Sequence, residues 1–282
     1  MKNLRTTLVK LIKDILGRLL VVTGSHRRAL QGRAVVVAFH SITAERSQSA
    51  LRCSVRDFDR YCGFFARHLR TATLTDVIGS LTERRTLRGE CSITFDDGYA
   101  DNAELALPVL SHWRLPATFF VTTGFIDSQT QTPWDVRANV RSRWMTWQQV
   151  EQLSAAGHDI GVHTVTHADL GQISHDEAES ELRRCRDELD ARLGAVPRHF
   201  AIPFGRAFDS MDEVAGIAQR LGFLSMSLCR GGIVDSSARA MYVERWPIDP
   251  TQYFSPYGWL FDVVRETRAS GAARPNRPSH YD

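Results

Sequence analysis

Two short segments carry the residue types of a metal-dependent hydrolytic site. The segment Thr94-Phe95-Asp96-Asp97-Gly98 supplies two adjacent carboxylates, and His163-Thr164-Val165-Thr166-His167 supplies two imidazoles about sixty-five residues later. A spacing of four residues brings two imidazoles to one side of a turn. One carboxylate and two imidazoles with an open position suit catalytic Zn²⁺ or another divalent first-row metal such as Co²⁺ or Ni²⁺. We therefore predict one metal site, with the second carboxylate available as a base.

Each segment follows a strand-like stretch. An apolar run from Cys91 to Phe95 leads into the acidic pair, and residues 157–163 lead into the first histidine. Active sites of parallel α/β folds lie at the carboxyl ends of the strands. Neighbouring strand residues point to opposite faces, so we expect Asp96 and Asp97 to differ in role unless the strand has already curled. Either segment alone has a simpler explanation, a chance histidine pair or a turn cap.

The rest of the chain alternates between strand and helix patterns. The predicted strands cover residues 34–41, 92–96, 117–122, 158–163, 199–203, 223–228 and 241–246. The predicted helices cover residues 55–68, 102–113, 146–156, 174–193 and 210–221. This alternation predicts parallel β/α units in a single α/β catalytic domain over residues 34–268. Residues 123–143 show no clear period and are expected to form a long loop over the site, and this loop contains Trp134.

The amino-terminal segment, residues 1–33, is strongly basic. It contains eight Lys or Arg residues against the single acid Asp14. Aliphatic residues recur at helical spacing, while charged residues at 10, 13, 14 and 18 fall on the opposite side. We predict an amphipathic helix whose residues 4–22 either contact an anionic membrane surface or pack their apolar face on the end of the catalytic domain. Residues 269–282 are expected to be a disordered tail.

Composition bounds the cellular setting. The chain has 282 residues, 43% of them hydrophobic and 24% charged, as in ordinary soluble proteins. Its five cysteines show no paired spacing, which favours a reducing compartment. We expect a cytoplasmic protein, in contact at most with the inner face of the membrane. Nucleic acid is not an expected partner, while the oligomeric state stays open.

The motifs of this sequence resemble those of a known family. The two segments above are similar to the first two motifs of the polysaccharide deacetylases, carbohydrate esterase family 4. Residues 117–124 resemble the family's next strand, and Phe200-Ala201-Ile202-Pro203-Phe204-Gly205 resembles its third motif. The resemblance covers about residues 35–249. It implies a distorted (β/α)7-type barrel and a metal-dependent hydrolase that removes N-acetyl groups from a sugar of a bacterial polysaccharide or glycan precursor.

The resemblance also implies roles for individual residues. Asp96 corresponds to the catalytic base, and the metal ligands correspond to Asp97, His163 and His167. The backbone N–H of Phe204 is expected to stabilise the oxyanion. The expected partner is an acetylated carbohydrate, and the residues expected to contact it are Pro203, Trp246, Tyr99 and Trp134. Trp134 either stacks on a sugar or anchors its loop.

The departures from the family pattern are as informative as the matches. Ala201 stands where the family usually has an arginine that orients the base, and we predict that Arg245 replaces it. The family's late histidine, which protonates the leaving amine, has no counterpart after Trp246, and the only later histidine is His280 in the tail. His40, at the end of the first strand, is then either a proton donor or a structural histidine, and protonated Asp96 is the other donor. These differences resemble the branch that deacetylates poly-β-1,6-N-acetylglucosamine and other exopolysaccharides, whose members also open with a strand ending in histidine.

Three alternative functions remain open from the sequence. A glycoside hydrolase needs two carboxyls about 5 to 10 Å apart around one bond, which adjacent strand residues supply poorly. An esterase would remove O-acetyl groups from a glycan with the same residues. A non-catalytic carbohydrate-binding relative would have no need to keep the three metal ligands and the base together.

Overall fold

A computed structural model gives the structure of residues 2–45, 49–205 and 210–269. Its strands are β1 (Arg33–Phe39), β2 (Ser41–Thr43), β3 (Arg52–Ser54), β4 (Arg70–Thr71), β5 (Glu90–Phe95), β6 (Ala117–Val121), β7 (Asp159–Val162), β8 (His199–Ala201), β9 (Ser225–Leu228), β10 (Val234–Asp235) and β11 (Tyr242–Pro247). Its helices are α1 (Lys2–Val22), α2 (Ser25–Ala29), α3 (Val55–His68), α4 (Leu74–Thr82), α5 (Leu107–Trp113), α6 (Pro133–Arg137), α7 (Trp147–Ala155), α8 (His175–Leu193), α9 (Met211–Arg220) and α10 (Pro256–Ala269). A π-helical turn (Asn102–Ala106) precedes α5, and 3₁₀ turns lie at Thr123–Phe125 and Pro203–Gly205.

Seven of these strands form a closed parallel barrel. Their order is β1, β11, β9, β8, β7, β6 and β5, and β5 pairs again with β1 to close the ring. The closing pair is in register from Ala34 opposite Glu90 to Phe39 opposite Phe95. β10 and β4 add to β1 and β5 outside the ring, and β2 and β3 form a separate pair. The predicted (β/α)7-type barrel is thus confirmed, and all seven strands end at the same mouth.

The predicted elements coincide with the barrel strands and with six of the helices, including α1. The helices α2, α4 and α10 were not predicted, and the expected loop over residues 123–143 contains a 3₁₀ turn and α6. The predicted tail lies outside the described residues beyond Ala269, where α10 ends. None of the helices in the described ranges is long and apolar enough to cross a membrane.

The barrel separates two hydrophobic layers. Alternate strand residues such as Val35 and Phe95 pack outward beneath the helices, in the larger core cluster. Val36 and Val243 belong to a second cluster that includes four side chains of α4. Thr75 of α4 also hydrogen bonds Asp159 and His199, which begin β7 and β8. α4 therefore covers the amino-terminal end of the barrel, opposite the mouth.

The amino-terminal helix α1 packs against α10, but with its polar side. Asp14 of α1 is buried and accepts hydrogen bonds from Arg18 and from Ser255, which immediately precedes α10. Nine aliphatic residues between Leu4 and Val22 remain exposed, and only Leu20 and Val21 at the end of the helix pack against the core cluster. The alternative that the apolar face packs on the catalytic domain is therefore wrong, because the hydrogen-bonding groups of α1 make the contact.

One glycine marks a tight contact inside the barrel. A Cβ atom at Gly161 of β7 would lie 2.5 Å from the Phe120 ring and 3.1 Å from the His199 carbonyl oxygen. We expect Gly161→Ala to lower the free energy of unfolding by about 1 to 3 kcal/mol, the usual cost of overpacking a core. Gly216→Ala in α9, where the Cβ meets only a flexible arginine at 3.7 Å, should raise it by about 0.5 to 1 kcal/mol. Urea denaturation measures both values, and equal effects of the two variants would contradict the assignment.

Candidate active site

The acidic pair lies at the mouth of the barrel, immediately after β5. Asp96 and Asp97 are 2% and 0% exposed. The Asp96 N–H still bonds to the Phe39 carbonyl, as in the closing strand pair, while Asp97 has a left-handed backbone with φ of 77°. The chain therefore curls at Asp97. The two carboxylates then make different contacts, Asp96 with an arginine and Asp97 with the two histidines.

Asp97, His163 and His167 form one buried cluster. The Asp97 Oδ1 atom lies 3.2 Å from His163 Nε2 and 3.3 Å from His167 Nε2. One ligand atom from each of the three residues lies within 4.8 Å of the others. The structure thus brings together the three predicted metal ligands, and the group could hold a metal ion.

The chemistry of the cluster fits a divalent metal. His163 Nδ1 donates a hydrogen bond to the Ala201 carbonyl at 2.8 Å, so in the neutral imidazole Nε2 presents its lone pair to the Asp97 carboxylate. Two acceptors that face each other at 3.2 Å repel unless a cation lies between them. Around zinc, with bonds of about 2.0 to 2.2 Å, neighbouring ligand atoms are about 3 to 3.5 Å apart. Burial also lowers the pKa of His167, which favours the neutral imidazole that a metal requires.

A glutamate on α8 holds the loop between the two histidines. Glu181 accepts hydrogen bonds from the N–H groups of Val165 and Thr166 at 2.8 and 2.9 Å, and from the Thr166 hydroxyl at 3.1 Å. These bonds fix a turn in which Thr164 and His167 both have positive φ. A role for Glu181 was not predicted, because nothing in the sequence distinguishes this residue from the other acidic residues of α8.

Arg245 forms a buried ion pair with Asp96. Its Nη1 and Nη2 atoms lie 2.6 and 2.8 Å from the two oxygens of Asp96, a bidentate pair. The guanidinium is fully buried and also donates to the Leu228 carbonyl and the Thr94 hydroxyl, each at 3.1 Å. Burial alone would raise the pKa of Asp96, but the charge and hydrogen bonds of Arg245 hold it below its usual value. Arg245 therefore makes the contact with Asp96 that is expected of the arginine usually found in the family at the position of Ala201.

His40 lies close to the same carboxylate. Its Nε2 atom is 3.9 Å from Asp96 Oδ2, and its side chain is 5% exposed. Asn102 donates a hydrogen bond to the His40 carbonyl at 2.7 Å. Asp101 fixes the following residues through Ser41 and the Ile42 N–H, and burial raises the pKa of Asp101 to about 6. His40 is thus held beside Asp96, and its role as a proton donor stays a prediction.

Aromatic rings form one wall of the site. The half-buried Trp134 lies 4.7 Å from the His167 ring, and Phe204 lies 4.9 Å from the same ring. Trp134 Nε1 donates a hydrogen bond to the Tyr99 hydroxyl at 2.8 Å. Tyr99 is only 2% exposed and stacks on Trp144. Tyr99 therefore supports Trp134, and its predicted contact with substrate stays a prediction.

The third motif forms a constrained turn after β8. Phe204 has a left-handed backbone with φ of 63° between the buried Pro203 and Gly205. A Cβ atom at Gly205 would lie 2.4 Å from the Cys229 Cβ, so only glycine fits there. Trp246 is 4% exposed and belongs to the larger core cluster. The predicted roles of Pro203, the Phe204 N–H and Trp246 stay predictions.

Comparison with known proteins gives the family. The family model described as polysaccharide deacetylase matches residues 83–225, just over half of the chain. The chain belongs to the polysaccharide deacetylase family. The matched range of this deacetylase family includes Asp96, Asp97 and both histidines, and it ends before Arg245.

Individual relatives of the deacetylase family are distant. The chain is 23% identical to YxkH of Bacillus subtilis over 232 residues, which cover 82% of this chain and 76% of that protein. It is 31% identical over 115 residues to a chitooligosaccharide deacetylase of Bradyrhizobium, covering 40% of this chain and 45% of that protein. The structure of IcaB from Ammonifex degensii superposes with a TM-score of 0.69 at 21% identity, covering 82% of this chain and 97% of IcaB. The IcaB likeness confirms the fold.

The geometry predicts which variants lose metal. His163→Ala removes one of three ligands and should weaken Zn²⁺ binding more than about 100-fold, beyond the usual effect of losing a residue that only supports a ligand. Asp96→Asn should keep the metal, because Asp96 is held by Arg245 and is not among the ligands. Metal titration followed by elemental analysis measures both, with the exposed His112→Ala as control. Full zinc content in His163→Ala would count against the site.

Proposed function

We propose that this protein is a metal-dependent deacetylase that hydrolyses N-acetyl groups on a sugar of a bacterial polysaccharide or glycan precursor. One observation carries the proposal. A carboxylate base, Asp96, is bound by Arg245 and lies directly beside the buried group of Asp97, His163 and His167. A base next to a candidate metal group is the arrangement needed to attack an unreactive amide with water.

Asp96 is prepared to accept a proton. Arg245 occupies one hydrogen-bonding position on each carboxylate oxygen and fixes the side chain in one orientation. Each ionised oxygen retains a second acceptor position for the attacking water. Because Arg245 keeps the pKa of Asp96 low, the carboxylate is ionised before substrate arrives. Asp96 then takes the proton as the water oxygen adds to the acetyl carbonyl carbon.

The neighbouring residues complete the chemistry. Asp97, His163 and His167 would hold a divalent metal, which when bound supplies Lewis acidity that activates water and polarises the acetyl carbonyl. We assign the Phe204 N–H to stabilisation of the developing oxyanion. Phe204 lies beside the candidate ligand His167, and the centres of their two rings are 4.9 Å apart. The departing amine needs a proton, which either protonated Asp96 or His40 supplies; the two side chains are 3.9 Å apart.

The wall of the site favours a sugar substrate. Trp134 covers the side of the site formed by His167 and Phe204, and its indole N–H is fixed by Tyr99. A ring held in this way offers a rigid apolar face against which a sugar can stack. The relation to a protein named chitooligosaccharide deacetylase supports an N-acetylated sugar. The opening strand that ends in His40 supports the exopolysaccharide branch.

Released acetate tests the substrate class. We expect the zinc-loaded protein to release acetate from chitooligosaccharides or from poly-β-1,6-N-acetylglucosamine oligomers, and Asp96→Asn to release none, because the proton acceptor is lost. Acetylated xylan serves as the O-acetyl control. Acetate release from the O-acetylated glycan alone would show that the bond hydrolysed is an ester and not an amide. Glycan binding without release from any substrate would identify a non-catalytic relative.

The arginine is tested by a matched series. Arg245→Lys keeps a charge but loses the bidentate contact, and should reduce turnover by about tenfold or more while zinc affinity changes little. Arg245→Ala should reduce turnover further and also destabilise the fold by about 3 to 5 kcal/mol, because it leaves a buried carboxylate unpaired. The control is Arg230→Ala, which removes a nearby guanidinium paired with Glu244.

Acetate release at saturating substrate, zinc titration and thermal unfolding are measured for each variant. Turnover in Arg245→Lys equal to that of the unaltered protein would show that orientation by Arg245 is not needed. A loss of zinc in the same variant would instead make Arg245 part of the metal site.

A further inference from the structure

The helix α1 is attached to the barrel in the reverse of the usual orientation. Amphipathic surface helices normally bury the apolar side. Here Lys13 pairs with Asp262 of α10 at 2.6 Å, and Asp14 accepts hydrogen bonds from Arg18 and Ser255. At Gly17 the two helices approach so closely that a Cβ atom would lie 1.8 Å from the Tyr257 carbonyl oxygen. The polar side of α1 is therefore the side that is fixed to the protein.

The opposite side of α1 is a continuous aliphatic surface, here called the α1 apolar face. Nine aliphatic side chains between Leu4 and Val22 are at least 37% exposed, among them Leu8 at 53% and Leu19 at 52%. At about 100° per residue they occupy an arc of roughly 160°. Only four other large hydrophobic side chains in the described ranges are similarly exposed. A patch of this kind marks an interaction surface.

The charge around this face selects an anionic partner. Residues 2–29 contain seven Lys or Arg and one acid. A cleft of about 390 Å³ beside α2 is lined by Arg27, Arg67, Arg70 and Arg88. A smaller adjoining cleft is lined by Arg18 of α1 together with Arg67. Within the described part of the chain, neither Arg27 nor Arg88 forms an ion pair. A second copy of the same basic surface would repel this one.

We propose that the α1 apolar face docks onto an anionic phospholipid bilayer and lies in the plane of its surface. The aliphatic side chains enter the acyl boundary, and the arginines of α1, α2 and the clefts meet the lipid phosphates. Because the polar side of α1 is bonded to α10, docking requires no unfolding of the contact with the barrel. The membrane then holds the whole catalytic domain by one helix.

Vesicle sedimentation with the full chain tests this. The protein should pellet with vesicles of phosphatidylcholine mixed with phosphatidylglycerol, and much less with phosphatidylcholine alone. Ile15→Gln combined with Leu19→Gln should weaken binding to the vesicles by about tenfold or more, since two aliphatic groups that enter the bilayer are lost. Leu224→Gln, at a residue 42% exposed elsewhere on the surface, is the matched control and should bind normally. Arg27→Gln with Arg28→Gln should weaken binding to the anionic vesicles only.

Any one of three results would overturn the proposal. The protein could fail to sediment with anionic vesicles, it could sediment equally with both lipid compositions, or the Ile15 and Leu19 variant could bind as well as the unaltered protein. Light scattering provides a further test. A dimer that this variant dissociates, with no vesicle binding by the unaltered protein, would assign the α1 apolar face to a second copy. Thermal unfolding of each variant confirms that the fold is retained, because these side chains make no core contact.

Discussion

The pairing of two buried charges governs the arrangement of this protein. Asp96 and Arg245 are 2% and 0% exposed, and neither charge could be kept from water without the other. Arg245 pairs in register with Val36 on β1, while Asp96 follows β5 on the other side of β1. The guanidinium thus spans β1 to reach the carboxylate. The position of the base depends on closure of the barrel as much as on its own strand.

The site also concentrates backbone strain. Eight non-glycine residues of the described chain have positive φ, and four of them are Asp97, Thr164, His167 and Phe204. Such conformations cost free energy and persist where surrounding contacts determine them. Here the contacts are the Glu181 hydrogen bonds to the histidine loop and the close packing of Gly205 on Cys229. The barrel supplies the rigidity, and the turns at its mouth supply the chemistry.

The sequence reveals the repeating parts of this fold better than its single contacts. Strand and helix periodicity located the barrel strands, and the two motifs located Asp96, Asp97, His163 and His167. Arg245 could be anticipated because a buried base without a cation on β8 needs one from elsewhere. The role of Glu181 could not be anticipated, since Glu181 acts by accepting hydrogen bonds from the turn between the two histidines. For α1, periodicity shows which side is apolar but carries no information about which side the protein covers.

The separation of the charge pair along the chain has a consequence for how the enzyme matures. Asp96 and Arg245 are 149 residues apart, and β11 is the last barrel strand to be synthesised. The three candidate metal ligands are already present when translation reaches residue 167, but the ring is then open and the base lacks its counterion. Contacts of such long range form late in folding. A chain that lacked β11 would therefore contain all three candidate metal ligands but no counterion for Asp96.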